Sequence, residues 1–283
     1  MVIKILVTGG NGQLAQCIKD VIKCYKNLAA DFQDLPDLDI TNKQQLELYF
    51  SKNEFDYCIN CAAYTAVDLA EEQSDLAYSV NADGPKNLAE VCKKHQVKLL
   101  HISTDFVFDG KKQTPYIETD TPNPLGIYGA SKWQGVRNIQ EVMEDYFIIR
   151  TSWLYSEYGN NFMKTMLRLS ETRDEISVVS DQIGAPTYAG DLAEVLIKII
   201  LSSSTNYGVY HYSNSGAISW YDFAAEIFKL FGKTIELKPI KTEDYPTEAK
   251  RPKYSVLEKS KLISVFDTLI PYWRDSLKIC LKK

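Results

Sequence analysis

Val2-Ile-Lys-Ile-Leu-Val7, followed at once by Thr8-Gly9-Gly10-Asn11-Gly12-Gln13-Leu14-Ala15, decides the fold of this 283-residue chain. The first run is apolar and rich in β-branched residues without polar alternation, which is the pattern of a strand buried on both faces. A helical pattern follows through Ile18, Val21 and Ile22. Strand, glycine turn and helix in that order are the context that a dinucleotide site needs. Gly9 and Gly12 let the backbone turn tightly and approach a pyrophosphate, Gln13 and Leu14 open the helix, and its N-terminus stabilises the anion. Ala15 stands where a third glycine often lets helix and strand pack closely. Asn27-Leu-Ala-Ala-Asp31 reads as a second strand ending in an acid about 20 residues beyond the glycines, the spacing at which a carboxylate takes the adenosine ribose hydroxyls. A loop acid is the alternative. With Asp31 there, NADH is favoured over NADPH, whose 2′-phosphate would face a like charge, while Lys26 or Lys43 leaves room for some NADPH use.

Moving outward, Thr41-x-x-Gln44 has the form of a capping box for a helix through Leu46, Leu48 and Tyr49, with Asp39-Ile40 just before it. Residues 56–60 form the next strand, and Cys61-Ala62-Ala63-Tyr64 at its end presents small residues to a cofactor. A long helix is expected from Ala70 to Lys94, with Asn81 inside it. Leu99, Leu100 and Ile102 form a buried strand that ends in Ser103-Thr104-Asp105, so hydroxyls and a carboxylate appear where the apolar run stops. Open α/β sheets place their ligands at that carboxyl edge. A loop rich in Thr, Pro, Gly and charge covers 109–123, a helix runs from Tyr128 to about Glu144, and a strand from Tyr146 to Arg150. This alternation predicts an α/β fold: a doubly wound parallel sheet of Rossmann type over residues 1–150. From Thr151 the pattern shifts to aromatics, amides and turn residues between shorter helices at 163–170, 190–201 and 219–231, with a closing helix after Tyr272. Residues 151–283 are expected to form a smaller, loop-rich, mainly substrate-binding lobe, with some segments returning to the sheet.

Tyr128 and Lys132 stand four apart in a helical pattern, which stacks both side chains on one face. A phenol that titrates near 10 becomes a useful acid–base group beside a positive charge, which Lys132 can supply. The hydroxyl of Thr104 or Ser103 can bond the same substrate oxygen that Tyr128 protonates, fixing a carbonyl between two donors. A solvated surface contact is the plainer reading of such a pair, and the glycine turn upstream argues for the catalytic one.

A net charge of −5 and a pI near 5.4 argue against a nucleic-acid partner, whose binding surfaces carry basic clusters. Residues 2–7 are too short for a membrane span or a secretory core, so a cytoplasmic protein without a membrane partner is expected. Six cysteines at no framework spacing fit reduced thiols. Cys58-x-x-Cys61 lies in an apolar strand whose alternation points the sulfurs to opposite faces, so no metal is expected there.

Thr8-Gly-x-x-Gly12, Asn60-Cys-Ala-Ala63, Ser103-Thr104-Asp105 and Tyr128-x-x-x-Lys132, in that order, resemble the extended short-chain dehydrogenase/reductase superfamily. Thr65-Ala-Val-Asp68 with Ala70-Glu71, Arg150-Thr-Ser-Trp153, Asn160-Asn-Phe162, Asp181-Gln-Ile-Gly-Ala-Pro-Thr187 and Arg251-Pro252 sharpen this to the dTDP-4-dehydrorhamnose reductase family. The resemblance implies NADH or NADPH as cofactor, a dTDP-sugar substrate, magnesium as a further cofactor of the family, and a monomer or homodimer. It assigns Tyr128 as proton donor, Lys132 to the nicotinamide ribose, and Thr104 to the reacting oxygen. Asp105 and Trp153 would contact the sugar nucleotide, with Arg251 the candidate for its diphosphate. Gly12, Gln13 and Leu14 would approach the pyrophosphate and Asp31 the adenosine ribose, while Asp39, Ile40, Ala62, Ala63 and Tyr64 line the rest of the cofactor. Tyr64 stands where the family has histidine and Phe106 where it has tyrosine. Two other classes stay open: a non-catalytic relative of the regulatory subunit of methionine adenosyltransferase, and a sugar-nucleotide epimerase or dehydratase. A stoichiometric change in nicotinamide absorbance separates a reductase from both.

Overall fold

Ile3–Thr8 forms strand β1, and its side chains divide by parity: Ile5 and Val7 enter one core while Leu6 enters the other. Such two-sided burial is what a central parallel strand requires. These coordinates are a computed structural model, and it describes residues 2–282. After β1 come helix α1 (Gln13–Ile22), β2 (Leu28–Gln33), α2 (Lys43–Lys52) and β3 (Tyr57–Asn60). Then follow α3 (Leu69–Glu72), α4 (Ser74–Tyr78), a π-turn at Ser79–Asp83 and α5 (Gly84–Lys94). Strand β4 (Lys98–Thr104), α6 (Ile127–Val142) and β5 (Tyr146–Thr151) complete the first half. The second half begins with β6 (Leu154–Tyr155), α7 (Phe162–Leu169), β7 (Glu175–Val179), β8 (Ile183–Gly184) and β9 (Thr187–Tyr188). It continues through α8 (Ala189–Leu201), β10 (Gly208–His211), β11 (Ile218–Ser219) and α9 (Trp220–Leu230). Strand β12 (Glu236–Ile240), α10 (Ser260–Phe266) and α11 (Trp273–Cys280) end the chain.

Six strands pair in parallel in the order β10-β5-β4-β3-β1-β2. Helices α1, α8 and α10 cover one face around Leu14, Ile18, Leu196 and Phe266; α2, α5 and α6 cover the other around Leu46, Leu88 and Ile139. Each such fully buried aliphatic side chain contributes about 1.5–3 kcal/mol relative to exposure, so both layers are needed to hold the sheet. The expected doubly wound sheet is present, and β10, α8 and α10 join it from beyond residue 151. A third core of Tyr155, Met163, Tyr188, Phe223 and Trp273 holds the rest of the carboxyl-terminal half together. Among the described residues no helix is long and apolar enough to cross a membrane.

Three local expectations are corrected. Strand β2 runs on to Gln33, two residues past Asp31. The N-cap of α2 is Asn42, whose side chain accepts from Gln45 N at 3.1 Å, rather than Thr41. The helix expected from 70 to 94 is broken at Gln73 and again by the π-turn. Pro85, just after Gly84, has no N–H to donate to the carbonyl of Asn81, and its ring crowds that position in a regular helix. The widened turn relieves the crowding, and the freed Asn81 carbonyl packs onto Gly135 of α6, where a Cβ would stand 2.1 Å from the oxygen.

Candidate active site

The carboxyl ends of β1, β3, β4 and β5 open into one cleft of about 840 Å³, closed on its far side by the carboxyl-terminal lobe. Its lining includes Gly9, Gly12, Gln13 and Leu14 from the first turn, Ala62 and Ala63 after β3, and Thr104 and Asp105 after β4. Tyr128 and Lys132 enter from α6, and Trp153, Trp220 and Arg251 from the lobe. The arrangement is the one expected where ligands bind outside the carboxyl ends of parallel strands.

The glycine turn is built for close approach. Gly9 has φ +67°, and a Cβ there would lie 2.6 Å from Ala62 N. Gly12 N donates to Gly9 O at 2.9 Å and begins α1, leaving the first N–H groups of the helix directed at the cleft. Gly9→Ala meets both a positive φ and an unyielding neighbouring backbone, so it is expected to lower stability by about 1–3 kcal/mol. Dinucleotide affinity should fall with it. Thermal unfolding and a cofactor titration measure the two effects, and a variant with undiminished affinity would show that this turn does not hold the dinucleotide.

Asp31 does not join the cleft. Its carboxylate accepts from the Tyr49 phenol and, at 2.7 Å, from Gln33 Nε2, and it lines a separate hollow with Phe50, Phe55 and His95. Because β2 extends past it, the carboxylates at the strand's end are Asp34 and Asp39, both in the cleft. Asp34 Oδ2 accepts from Asn11 N of the glycine turn at 2.9 Å, and Asp39 Oδ1 accepts from Thr41 N and Oγ1 at 2.8 Å. The charge argument for NADH over NADPH falls with Asp31. Ile40 is buried at the cleft floor against Gly84. Tyr64 also turns away, its phenol donating to Gln73 Oε1 at 3.0 Å, and Thr65, Val67 and Val80 line the wall instead. Its backbone is nevertheless fixed: Asn81 in the π-turn accepts from Tyr64 N at 2.9 Å and donates to Tyr64 O at 3.0 Å.

At the centre, Thr104 Oγ1 donates to Asp105 Oδ1 and accepts from Phe106 N, each at 3.2 Å, and the Tyr128 phenol lines the cleft beside it. Burial pushes the phenol up to about 12, the neighbouring Thr104 hydroxyl opposes that, and the charge of Asp105 adds to it. Lys132 lines the same cleft from the next turn of α6. Its ammonium donates to Ile102 O at 2.6 Å, and burial pulls its pKa down to about 8. Tyr128 therefore stays protonated at neutral pH, as a donor must. Asp105 is 1 % exposed with Oδ2 lacking any hydrogen-bond partner. Burial raises its pKa to about 6 against the opposing bonds from Ser255 and Thr104. Phe106, lacking the hydroxyl of tyrosine, packs edge-on to Tyr128 at 5.5 Å.

From the lobe, Arg251 reaches the cleft wall while its guanidinium forks onto Asp68, at 3.0 Å to Oδ1 and 2.7 Å to Oδ2. Trp153 lies face to face with Trp220, a residue that sequence reasoning missed. The only local signal at Trp220 is the capping box formed by Ser219 and Asp222, which marks the helix start and says nothing of the cleft.

The whole described chain has relatives. Residues 3–283 match the RmlD substrate binding domain family. The dTDP-4-dehydrorhamnose reductase of Aggregatibacter actinomycetemcomitans is 44% identical, with 97% of each chain covered. The crystal structure of a dTDP-4-dehydrorhamnose reductase from Clostridium acetobutylicum superposes with a TM-score of 0.95 at 45% identity, over 99% of both chains. That of Bacillus anthracis, in complex with NADP, gives 0.96 at 41% identity, over 100% of this chain and 99% of the other. A UDP-glucose 4-epimerase of Thermus thermophilus shares the fold with a TM-score of 0.82 at 19% identity. With a match running from the first strand to the last residue and relatives at 41–45% identity, this chain belongs to the RmlD substrate binding domain family, alongside the dTDP-4-dehydrorhamnose reductases.

Proposed function

We propose that the chain is an NAD(P)H-dependent dTDP-4-dehydrorhamnose reductase, reducing the C4 carbonyl of dTDP-4-dehydro-L-rhamnose to give dTDP-L-rhamnose. The observation that carries this is the cleft in which a dinucleotide turn, a protonated phenol beside a threonine hydroxyl, and an aromatic wall from the lobe converge. Residues 1–150 supply the dinucleotide half, and the lobe beyond 151 supplies the sugar-nucleotide half. Gly9 packs directly on the Cys61-Ala62 backbone, which brings the glycine turn and the end of β3 together along one wall of the cleft, and that wall fits the cofactor. Gly9, Gly12, Gln13 and Leu14 would hold the pyrophosphate, Asp34, Asp39 and Ile40 the adenosine end, Ala62 and Ala63 the middle, and Lys132 the nicotinamide ribose. The bound reduced nicotinamide supplies the hydride.

The chain's own part is to orient the carbonyl and deliver the proton. Thr104 Oγ1 and the Tyr128 phenol hold the reacting oxygen between two donors. As negative charge develops on that oxygen, the phenol proton passes to it. The ammonium of Lys132 stabilises the phenolate left behind. Asp105 Oδ2, a buried acceptor without a partner, is placed to take a sugar hydroxyl. The decisive experiment is stoichiometric oxidation of NADPH and of NADH with dTDP-4-dehydro-L-rhamnose. Turnover without net cofactor use would favour the epimerase or dehydratase reading, and no turnover the regulatory one.

Arg251 is the cation for the substrate diphosphate in this reading. The fork it makes to Asp68 shows that it can present two parallel N–H donors, the geometry a diphosphate also accepts. Arg251→Ala should raise the KM for the sugar nucleotide by about tenfold, the lower end of what a charge-assisted hydrogen bond contributes. Cofactor KM should hold. An unchanged substrate KM would leave Arg251 as a tether of the loop at Asp68 and nothing more.

A further inference from the structure

The geometry points to Trp220 and Gly184 as positioning residues that clamp the Trp153 indole into a platform for the sugar ring, an inference resting on the reductase reading. Trp153 has φ +46°, a conformation that bulky residues rarely adopt and that persists only where the surroundings impose it. Three contacts supply the imposition. The Trp220 indole stacks on it with centroids 3.5 Å apart and planes 10° from parallel. Gly184 lies against the same indole, where a Cβ would come within 2.6–2.8 Å of Cε2, Cζ2 and Nε1. Trp153 O accepts from Thr187 N at 3.2 Å, which ties its backbone to the strand after Gly184.

Gly184 and Trp220 belong to one device. Strands β8 and β11 form an antiparallel ribbon in which Gly184 pairs with Ile218, and Trp220 follows two residues later at the start of α9. Phe162 braces the outer side of Trp220 at 4.6 Å, and Phe223 backs Phe162 at 5.7 Å. The clamp is therefore rooted in the core of the lobe through Phe223, which has no exposed surface. Trp153, Trp220 and Phe162 all line the cleft. Trp153 leaves the sheet two residues after Thr151, which pairs in register with Thr104 on the neighbouring strand. That register sets the indole on the side of the cleft where Thr104 stands rather than at a distant base, so the ligand it serves is the carbohydrate ring, which meets the rim of the indole left open between Trp220 and Gly184. A rigid indole held at a fixed tilt orients a small ring with little entropy left to lose.

Gly184→Ala tests the clamp without removing either indole. Two indoles stacked in contact give an exciton couplet in far-ultraviolet circular dichroism, and the added methyl is expected to abolish it by leaving Trp153 no room between Gly184 and Trp220 and turning it out of the stack. The KM for the sugar nucleotide should rise about three- to tenfold, the range set by one aromatic contact. Cofactor KM and inhibition by dTDP, which lacks the sugar, should not change. A lost couplet with unchanged substrate KM, or a raised KM with the couplet intact, overturns the proposal, as does weakened dTDP inhibition, which would assign the platform to the base. Should Gly184→Ala fail to fold, the pair Trp220→Ala and Trp220→Phe decides: the alanine variant should show the raised KM and the phenylalanine variant should largely restore it. Equal values for both overturn the clamp. A wild type inactive on the sugar nucleotide would sink the reductase reading, and the couplet in that same protein would still show whether the indoles stack.

Discussion

Tyr128→Phe is expected to lower turnover by about 10²–10⁴, on the order of 3–5 kcal/mol at 1.36 kcal/mol per tenfold, while leaving cofactor affinity close to that of the wild type. The phenol is the half-buried proton source at the centre of the cleft, and desolvation pushing it up to about 12 keeps the proton in place across the neutral range. Removing one oxygen takes away the donor and leaves the ring, which still packs against Phe106. The pocket therefore keeps its shape, and Thr104 Oγ1 remains as the second donor to the reacting oxygen. A loss confined to kcat, with unchanged cofactor binding by fluorescence titration, is the expected outcome. Wild-type turnover in this variant would transfer the donor role elsewhere. Lys132→Ala should behave differently, because its ammonium fills a buried position against Ile102 O and is also assigned to the cofactor ribose. Rate and cofactor affinity should fall together, and the contrast between the two variants separates proton donation from cofactor positioning.

What was legible in the chain followed from local pattern. The unbroken apolar run before the glycine turn, the hydroxyl and carboxylate edge at 103–105, and the helical spacing of Tyr128 and Lys132 each depend on neighbours a few residues away. The sheet they predict is the sheet observed. The first failures were failures of counting. Asp31 lies at the right number of residues from the glycines, but a spacing rule assumes where the strand stops, and Phe32 and Gln33 carry β2 further. The break inside 70–94 had a visible cause in Gly84-Pro85, since a proline in a helix interior displaces the carbonyl four residues back. Tyr128 and Lys132 do share a face of α6, yet spacing could not show that the ammonium would turn to the Ile102 carbonyl.

The remaining misses have a different origin. Asp68 and Arg251 both stood in quoted motifs, yet their fork joins positions 183 apart in sequence, and nothing local records it. The Trp153–Trp220 stack is of the same kind: it exists because the β8–β11 ribbon brings the start of α9 back to the end of β5. Side-chain pairings across the cleft are set by the return path of the carboxyl-terminal lobe, so the half of the site facing the sugar was the harder half to read. The nucleotide half is written in one turn and one strand end.

Asp105→Asn should separate stability from function at one buried carboxyl. Burial lifts this group from an ordinary 3.8 to about 6 in the folded chain. Well below pH 3.8 it is protonated in both folded and unfolded states, and it affects stability equally in each. Between pH 4 and 6 the unfolded chain ionises it first, so the folded state loses ground as pH rises, and above about 6.5 the full penalty is present. At about 1.36 kcal/mol per pH unit, the rise from 3.8 to about 6 corresponds to a penalty of about 3 kcal/mol. Asparagine cannot ionise, so the variant should gain about that much relative to the wild type between about pH 3 and pH 7, whatever its absolute stability. Denaturant unfolding of both proteins at the two pH values gives the difference directly, and a pH-independent gap would mean that the carboxyl is not held at a cost. Activity should move the other way. The ionised Asp105 Oδ2 is an acceptor without a partner in the resting protein, and a sugar hydroxyl that donates to it recovers part of the penalty on binding. The variant is therefore expected to be more stable at neutral pH and to bind the sugar nucleotide less well, the combination that marks a group kept in an unfavourable state for its ligand.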